Sequence, residues 1–212
     1  ESPSSSPDGR TIAFAGLRNA IGDIFTVDLE TGEIANLTGD DFGDSAPVFS
    51  PDGRFIVYLA RVSGNHKLFR LDLATRAKTQ LTFGTHDDGG AKFFRDDVLI
   101  FSSTATDPAL PIEPEVARNG NIYNLWTLNL ASGELRQYTD ALGGNLSPVG
   151  LGGANAASQV AFVSYYKGEY GLHVIDLKEP LRTAASSDFG SPGPIIDFQA
   201  PLAHTFLAEN RR

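Results

Sequence analysis

The sequence contains no cysteine and no methionine, one tryptophan, and only 17 lysines and arginines against 26 acids. Without cysteine, neither a disulfide framework nor a cysteine-type zinc site can form. The net charge of −9 argues against nucleic acid, and against anionic lipid, as the main partner. No apolar run approaches the roughly 18 residues of a membrane helix, and no secretory signal pattern opens the chain, so direct membrane insertion is not expected. With no methionine even at position 1, the 212 residues are expected to be a mature or truncated piece of something longer. What is present is a foldable composition. It is 41% hydrophobic, and its 22 glycines and 12 prolines fall well short of a low-complexity chain.

The organising feature is a repeat. Ser6-Pro7-Asp8-Gly9-Arg10 returns as Ser50-Pro51-Asp52-Gly53-Arg54, Asp28-Leu29 as Asp72-Leu73, and Leu37-Thr38 as Leu81-Thr82, each 44 residues on. A third copy starts at Phe93 and, after an insertion, resumes at Leu125 and ends at Tyr138-Thr139. A fourth runs from Ser147-Pro148 to Asp176-Leu177. Each unit reads as four short strands rich in Val, Ile, Phe, Tyr, Leu and Thr, bounded by turn residues. Pro-Asp-Gly places proline where φ is fixed and glycine where φ turns positive. Runs such as Phe55–Leu59 are apolar on both parities, the mark of a strand covered on both faces. A period of about 44 with four strands per unit predicts an all-β fold, a β-propeller of four-stranded blades. About four blades are present, a partial propeller: 3–38, 45–82, 90–139 and 147–183 within 1–183, followed by 184–212 as a C-terminal linker or edge segment. Four units are too few for a ring of six to eight, so further blades or further chains are expected to close it.

The SPDGR turn, the run "DIFTVDLETGEIANLT" and the exit "LTFG" resemble the TolB-like propeller repeat. That repeat occurs in periplasmic TolB and in the propellers of prolyl-oligopeptidase-type and tricorn-type peptidases. The resemblance covers roughly residues 3 to 180 and fades in the fourth unit, where "GLGGANAASQ" replaces the SPDG turn. The third unit also resembles propellers of large bacterial envelope proteins, set between a protease-like domain and an outer-membrane barrel. The resemblance implies a periplasmic, extracytoplasmic location, and more than one function. The first is a non-catalytic protein-binding or assembly scaffold of a bacterial cell envelope. The alternative is a substrate-gating propeller of a serine peptidase whose catalytic domain lies outside this chain. A lactonase-like enzyme with a metal in the propeller channel is a third.

The candidate contacts to a protein partner lie in two places. One is the insertion 103–121, proline-rich and acidic, with Asp107, Glu113, Glu115 and Arg118; long loops on a rigid scaffold often carry contacts, though a plain surface excursion has the same composition. The other is the "YYKGEYG" hairpin, with Lys167 and Glu169 at its tip. Trp126 aligns with Phe69, so it is expected in the core rather than on a recognition rim. Asp40-Asp41-Phe42-Gly43-Asp44 and Asp87-Asp88-Gly89-Gly90 are oxygen-rich, but they lack the alternating spacing of a calcium loop. Asp44 and Asp88 stand one repeat apart, and a shared structural task is expected of them: accepting backbone N–H groups between adjacent blades. His66 and His86 are expected to be solvated in turns, and His173 packed in a strand. No Gly-x-Ser-x-Gly elbow, HExxH or phosphate loop occurs in the sequence. No catalytic residue, metal or cofactor is expected.

Overall fold

The repeated turns are built from one set of hydrogen bonds. In the first, Ser6 Oγ donates to Asp8 Oδ1 at 2.6 Å, and the Arg10 amide donates to the same oxygen at 3.1 Å. In the second, Ser50 Oγ and the Arg54 amide do the same to Asp52 at 2.7 and 3.0 Å. Gly9 and Gly53 close the two turns at φ of 70° and 69°, where a Cβ would be strained. The next hairpin is again shared. Asp28 Oδ1 accepts the Glu30 and Thr31 amides, Asp72 Oδ1 those of Ala74 and Thr75, and Asn129 Oδ1 those of Ala131 and Ser132. These side chains satisfy turn amides that no strand could reach.

The computed structural model describes residues 2–109, 122–152 and 158–192. Sixteen strands lie among them: β1 (Ser4–Ser5), β2 (Thr11–Arg18), β3 (Ile21–Asp28), β4 (Ile34–Asn36), β5 (Ser45–Phe49), β6 (Phe55–Val62), β7 (Asn65–Asp72) and β8 (Lys78–Gln80), then β9 (Lys92–Arg95), β10 (Val98–Ser103), β11 (Asn124–Asn129), β12 (Glu134–Gln137), β13 (Asn145–Leu151), β14 (Gln159–Tyr166), β15 (Glu169–Asp176) and β16 (Arg182–Ala185). All pairings are antiparallel, and they make four sheets: β1-β2-β3-β4, β5-β6-β7-β8, β16-β12-β11-β10-β9 and β13-β14-β15. The chain is all-β, four blades of a β-propeller, as the repeat predicts.

Three apolar seams join the blades in sequence order. Ala13 and Ile24 of the first sheet pack with Phe49, Ile56, Tyr58 and Leu71 of the second. Val57, Leu59 and Leu68 meet Leu99, Phe101, Trp126 and Leu128 of the third. Ile100 and Leu125 meet Val160 and Phe162 of the fourth. Strands β6 and β10 therefore bury both parities, one toward each neighbour. Trp126 is completely buried, in the core as its alignment with Phe69 indicates.

The fourth unit departs from the four-strand expectation. Among the described residues its sheet has three strands, and β16 pairs with β12, the outer strand of the third blade. The physical reason lies in what β16 meets there. The Leu181 amide donates to the Gln137 carbonyl at 2.8 Å, Arg182 Nη1 donates to Gln137 Oε1 at 2.6 Å, and Ser186 Oγ donates to the Leu81 carbonyl at 2.6 Å. A short 3-10 helix, Ser186–Phe189, follows and lays Phe189 against Trp126 and His86. Residues 182–190 thus form a strap joining the second and third blades.

Candidate functional site

Each of the first three blades carries a buried polar site where the next blade's first strand begins. The Thr38 hydroxyl accepts the Ile24 amide at 3.0 Å, Thr82 the Leu68 amide at 2.9 Å, and Thr139 the Leu125 amide at 2.8 Å. Beside these threonines sit Asp23, Lys67 and Asn124 from the third-strand positions, opposite Asp44, Asp88 and Asn145. The amides of that second trio donate to the carbonyls of Gly22, His66 and Tyr123 at 2.8, 3.0 and 2.7 Å. Gly22 is needed for this approach, since a Cβ there would stand 2.7 Å from the Asp44 carbonyl oxygen.

The side chains differ from blade to blade. At the third the pair is neutral: Asn124 Oδ1 accepts Thr139 Oγ1 at 3.0 Å and the Ala141 amide at 2.8 Å. At the second it is an ion pair, with Lys67 Nζ 3.6 Å from Asp88 Oδ2 and both side chains buried. Asp88 also accepts Thr82 Oγ1 at 2.6 Å and Ser103 Oγ at 2.7 Å. Burial pulls the Lys67 ammonium below the ordinary lysine value, against the attraction of Asp88. Hydroxyls and an ammonium, not backbone amides, therefore serve the Asp88 carboxylate, which corrects the sequence expectation.

At the first site two carboxylates face each other. Asp23 Oδ2 takes Arg18 Nε and Asn36 Nδ2, each at 2.7 Å. Asp40 Oδ1 takes the Phe42 amide at 2.9 Å, and Asp40 Oδ2 takes Lys78 Nζ at 2.6 Å. Asp23 Oδ1 and both oxygens of Asp44 are buried without a hydrogen-bond partner, so Asp44 too fails to bind the backbone amides expected of it. Burial raises the Asp44 carboxyl to about 8; the Thr38 hydroxyl, short of bonding geometry, opposes the rise, and Asp40 adds to it. One carboxylate oxygen each from Asp23, Asp40 and Asp44 lie within 4.8 Å of one another.

A second site is the outer face of the fourth sheet. Strand pairing sets Tyr165 against Tyr170, Val163 against Leu172, Ala161 against Val174 and Val149 against Ala161, so all of these share one face. The opposite face carries Val160 and Phe162, which pack on the third blade. Tyr170 is 71% and Leu172 77% exposed, with Val149, Leu151 and Val174 also open. Lys167 and Glu169 sit at the end of this face, in the β14–β15 hairpin. Lys167 has φ 51° and lays its ammonium over the Tyr166 ring, 5.2 Å from the centroid.

Of the insertion residues, Asp107 is placed with a partner inside the chain: Arg182 Nε lies 3.4 Å from its Oδ2. Glu113, Glu115 and Arg118 lie outside the described residues. The histidines differ from expectation. His86 is largely covered by Phe189, with ring centroids 5.1 Å apart, and desolvation lowers it to about 4. His66 lies in β7 rather than in a turn, half-exposed and 3.5 Å from Asp87. His173 is exposed and stacks on Phe162. The non-local cover of Phe189 is what shields His86, while His173 lies on β15, an edge strand of its sheet among the described residues. The first-blade carboxylates carried a usable signal in the sequence: Lys67 stands 44 residues after Asp23, a reversal of charge at one repeat position.

The model of the TolB beta propeller domain matches residues 1–108. The chain belongs to the TolB β-propeller family. No curated protein sequence matches it. Among solved structures, a putative TolB from Agrobacterium tumefaciens superposes with a TM-score of 0.67 at 17% identity, over 90% of this chain and 62% of its own. TolB from Acinetobacter baumannii gives 0.63 at 17% identity, over 83% of this chain and 40% of its own. A puromycin-hydrolyzing peptidase from Mycobacterium tuberculosis gives 0.61 at 12% identity, over 85% of this chain and 28% of its own. These likenesses show the fold. The chain spans less than two thirds of either TolB structure. Among the described residues of this TolB-family propeller, no helix is long and apolar enough to cross a membrane, which says nothing of a β-barrel.

Proposed function

We propose that this TolB-family propeller is a non-catalytic protein-binding and assembly scaffold of a bacterial cell envelope, working in the periplasm. The observation that carries the reading is the apolar outer face of the fourth sheet. At every other seam the equivalent face is covered by the next blade, whereas here Tyr170, Leu172 and Val174 meet solvent. Exposed aromatic and aliphatic side chains gathered on a stiff sheet are the usual material of a protein contact. Lys167 and Glu169 supply the polar border of that face. Asp107, Glu113, Glu115 and Arg118 of the insertion are proposed as further contacts, and the envelope location rests on family likeness. A photoreactive side chain at position 167, activated in cells that make the protein, tests this. A cross-link to a second protein, lost in a Tyr170→Ser, Leu172→Ser double variant, is the expected result. Cross-links confined to the same polypeptide, or none, would overturn it.

The likeness to a puromycin-hydrolyzing peptidase favours one other reading, a propeller that gates access to a serine peptidase domain. The gene beyond residue 212 separates the two. A Gly-x-Ser-x-Gly elbow within alternating strands and helices supports the gate, and alternating strands of about ten residues support the envelope assembly.

A further inference from the structure

The three equivalent polar sites act as one another's controls. The third blade holds an Asn–Asn pair, and the second an Asp paired to a Lys. In the first, the position of Lys67 is taken by Asp23, so two buried carboxylates meet where charge is otherwise balanced. Arg18 and Lys78 answer two of the three carboxyl groups of Asp23, Asp40 and Asp44, leaving the third without a counter-charge. That group is Asp44, whose side chain is buried and whose two oxygens have no partner. A carboxylate in that position is costly unless a cation is near.

We propose that the first blade binds a divalent cation of the calcium type between Asp23, Asp40 and Asp44, occupying the place that the Lys67 ammonium fills in the second blade. The donor atoms are all carboxylate oxygens, the ligands of a hard cation. Their mutual spacing, within 4.8 Å, fits opposite ligands of calcium at about 2.4 Å each. The free atoms are Asp23 Oδ1 and both Asp44 oxygens, and Asp40 contributes a lone pair beside its lysine contact. Asp23 belongs to β3 of the first blade, and Asp44 leads directly into β5 of the second. A cation there clamps two blades across their seam, a role independent of whichever partner the fourth blade contacts.

The test is calcium binding by the whole chain, with magnesium and manganese as comparisons. Titration of the chelator-treated protein is expected to show one saturable calcium site. At a calcium concentration about 100 times the dissociation constant, the melting temperature rises by roughly 5–10 °C. Asp44→Asn, which copies the third blade, removes both responses. Asp23→Lys, which copies the second, removes them while melting at or above the metal-free parent. Asp41→Asn, an exposed neighbour, keeps them. Absence of saturable binding for all three metals overturns the proposal, as does a calcium response that survives both Asp44→Asn and Asp23→Lys. If Asp23→Lys does not fold, the near-isosteric Asp44→Asn still decides.

Discussion

Phe189 stands edge-on to Trp126, ring centroids 6.1 Å apart and planes at 83°, although the two belong to segments separated by the whole fourth blade. The contact caps the only tryptophan in the chain, which has no solvent exposure. Phe189→Ala is expected to cost about 1–3 kcal/mol, below the range for a fully enclosed phenylalanine because Phe189 is only partly buried. The Trp126 emission is expected to move to longer wavelength as water reaches the indole. Unchanged emission and an unchanged denaturation midpoint would show that the strap does not cover the core.

His86 predicts a pH dependence. Its imidazole titrates in the fold only at about 4, chiefly because of desolvation, while the unfolded chain titrates near its usual value of about 6.5. Between these values the unfolded state binds more protons, so stability rises with pH from about 4 to 6.5. His86→Gln should flatten that rise by an amount on the order of 2–3 kcal/mol. Denaturant midpoints of both proteins at either end of the window measure it, since Asp88, Asp87 and Lys67, the charged groups acting on His86, remain in both. Parallel pH profiles would contradict the assignment.

Arg76 occupies the hairpin position that Gly32 and Gly133 hold in neighbouring blades, with φ of 62° against 74° and 73°. A side chain in that left-handed conformation costs roughly 1–2 kcal/mol, partly offset by the lower chain entropy of a non-glycine residue. Arg76→Gly is therefore expected to stabilise the protein by about 0.5–1 kcal/mol. Chemical denaturation reads this directly, and a loss of stability would mean that the arginine side chain contributes more than its backbone costs.

The blades were legible because their turns are local. The serine, aspartate and glycine of each SPDG turn bond to one another within six residues, so spacing alone reveals them. The core position of Trp126 follows from register with Phe69 for the same reason. The strap was not legible: Ser, Ala and Asp at 184–188 have turn composition, and the partners that order them, Gln137, Leu81 and Trp126, lie far upstream. The covering of His86 depends on that same distant segment. The roles of Asp44 and Asp88 were only half legible. Their shared spacing marked a repeated position, but the bonding at each depends on whether Asp23 or Lys67 stands across from it on another strand.

The route of the chain through β16 also fixes how the molecule answers a mechanical load. A pull applied at Gly190 acts first on Phe189 and then on the β12–β16 pairing, before any tension reaches β15. The fourth blade lies inside the closed stretch between β12 and β16, so it is sheltered until the third blade has given up its outermost strand. Force applied from that side would detach the second and third blades' shared fastening before it disturbed the exposed apolar sheet.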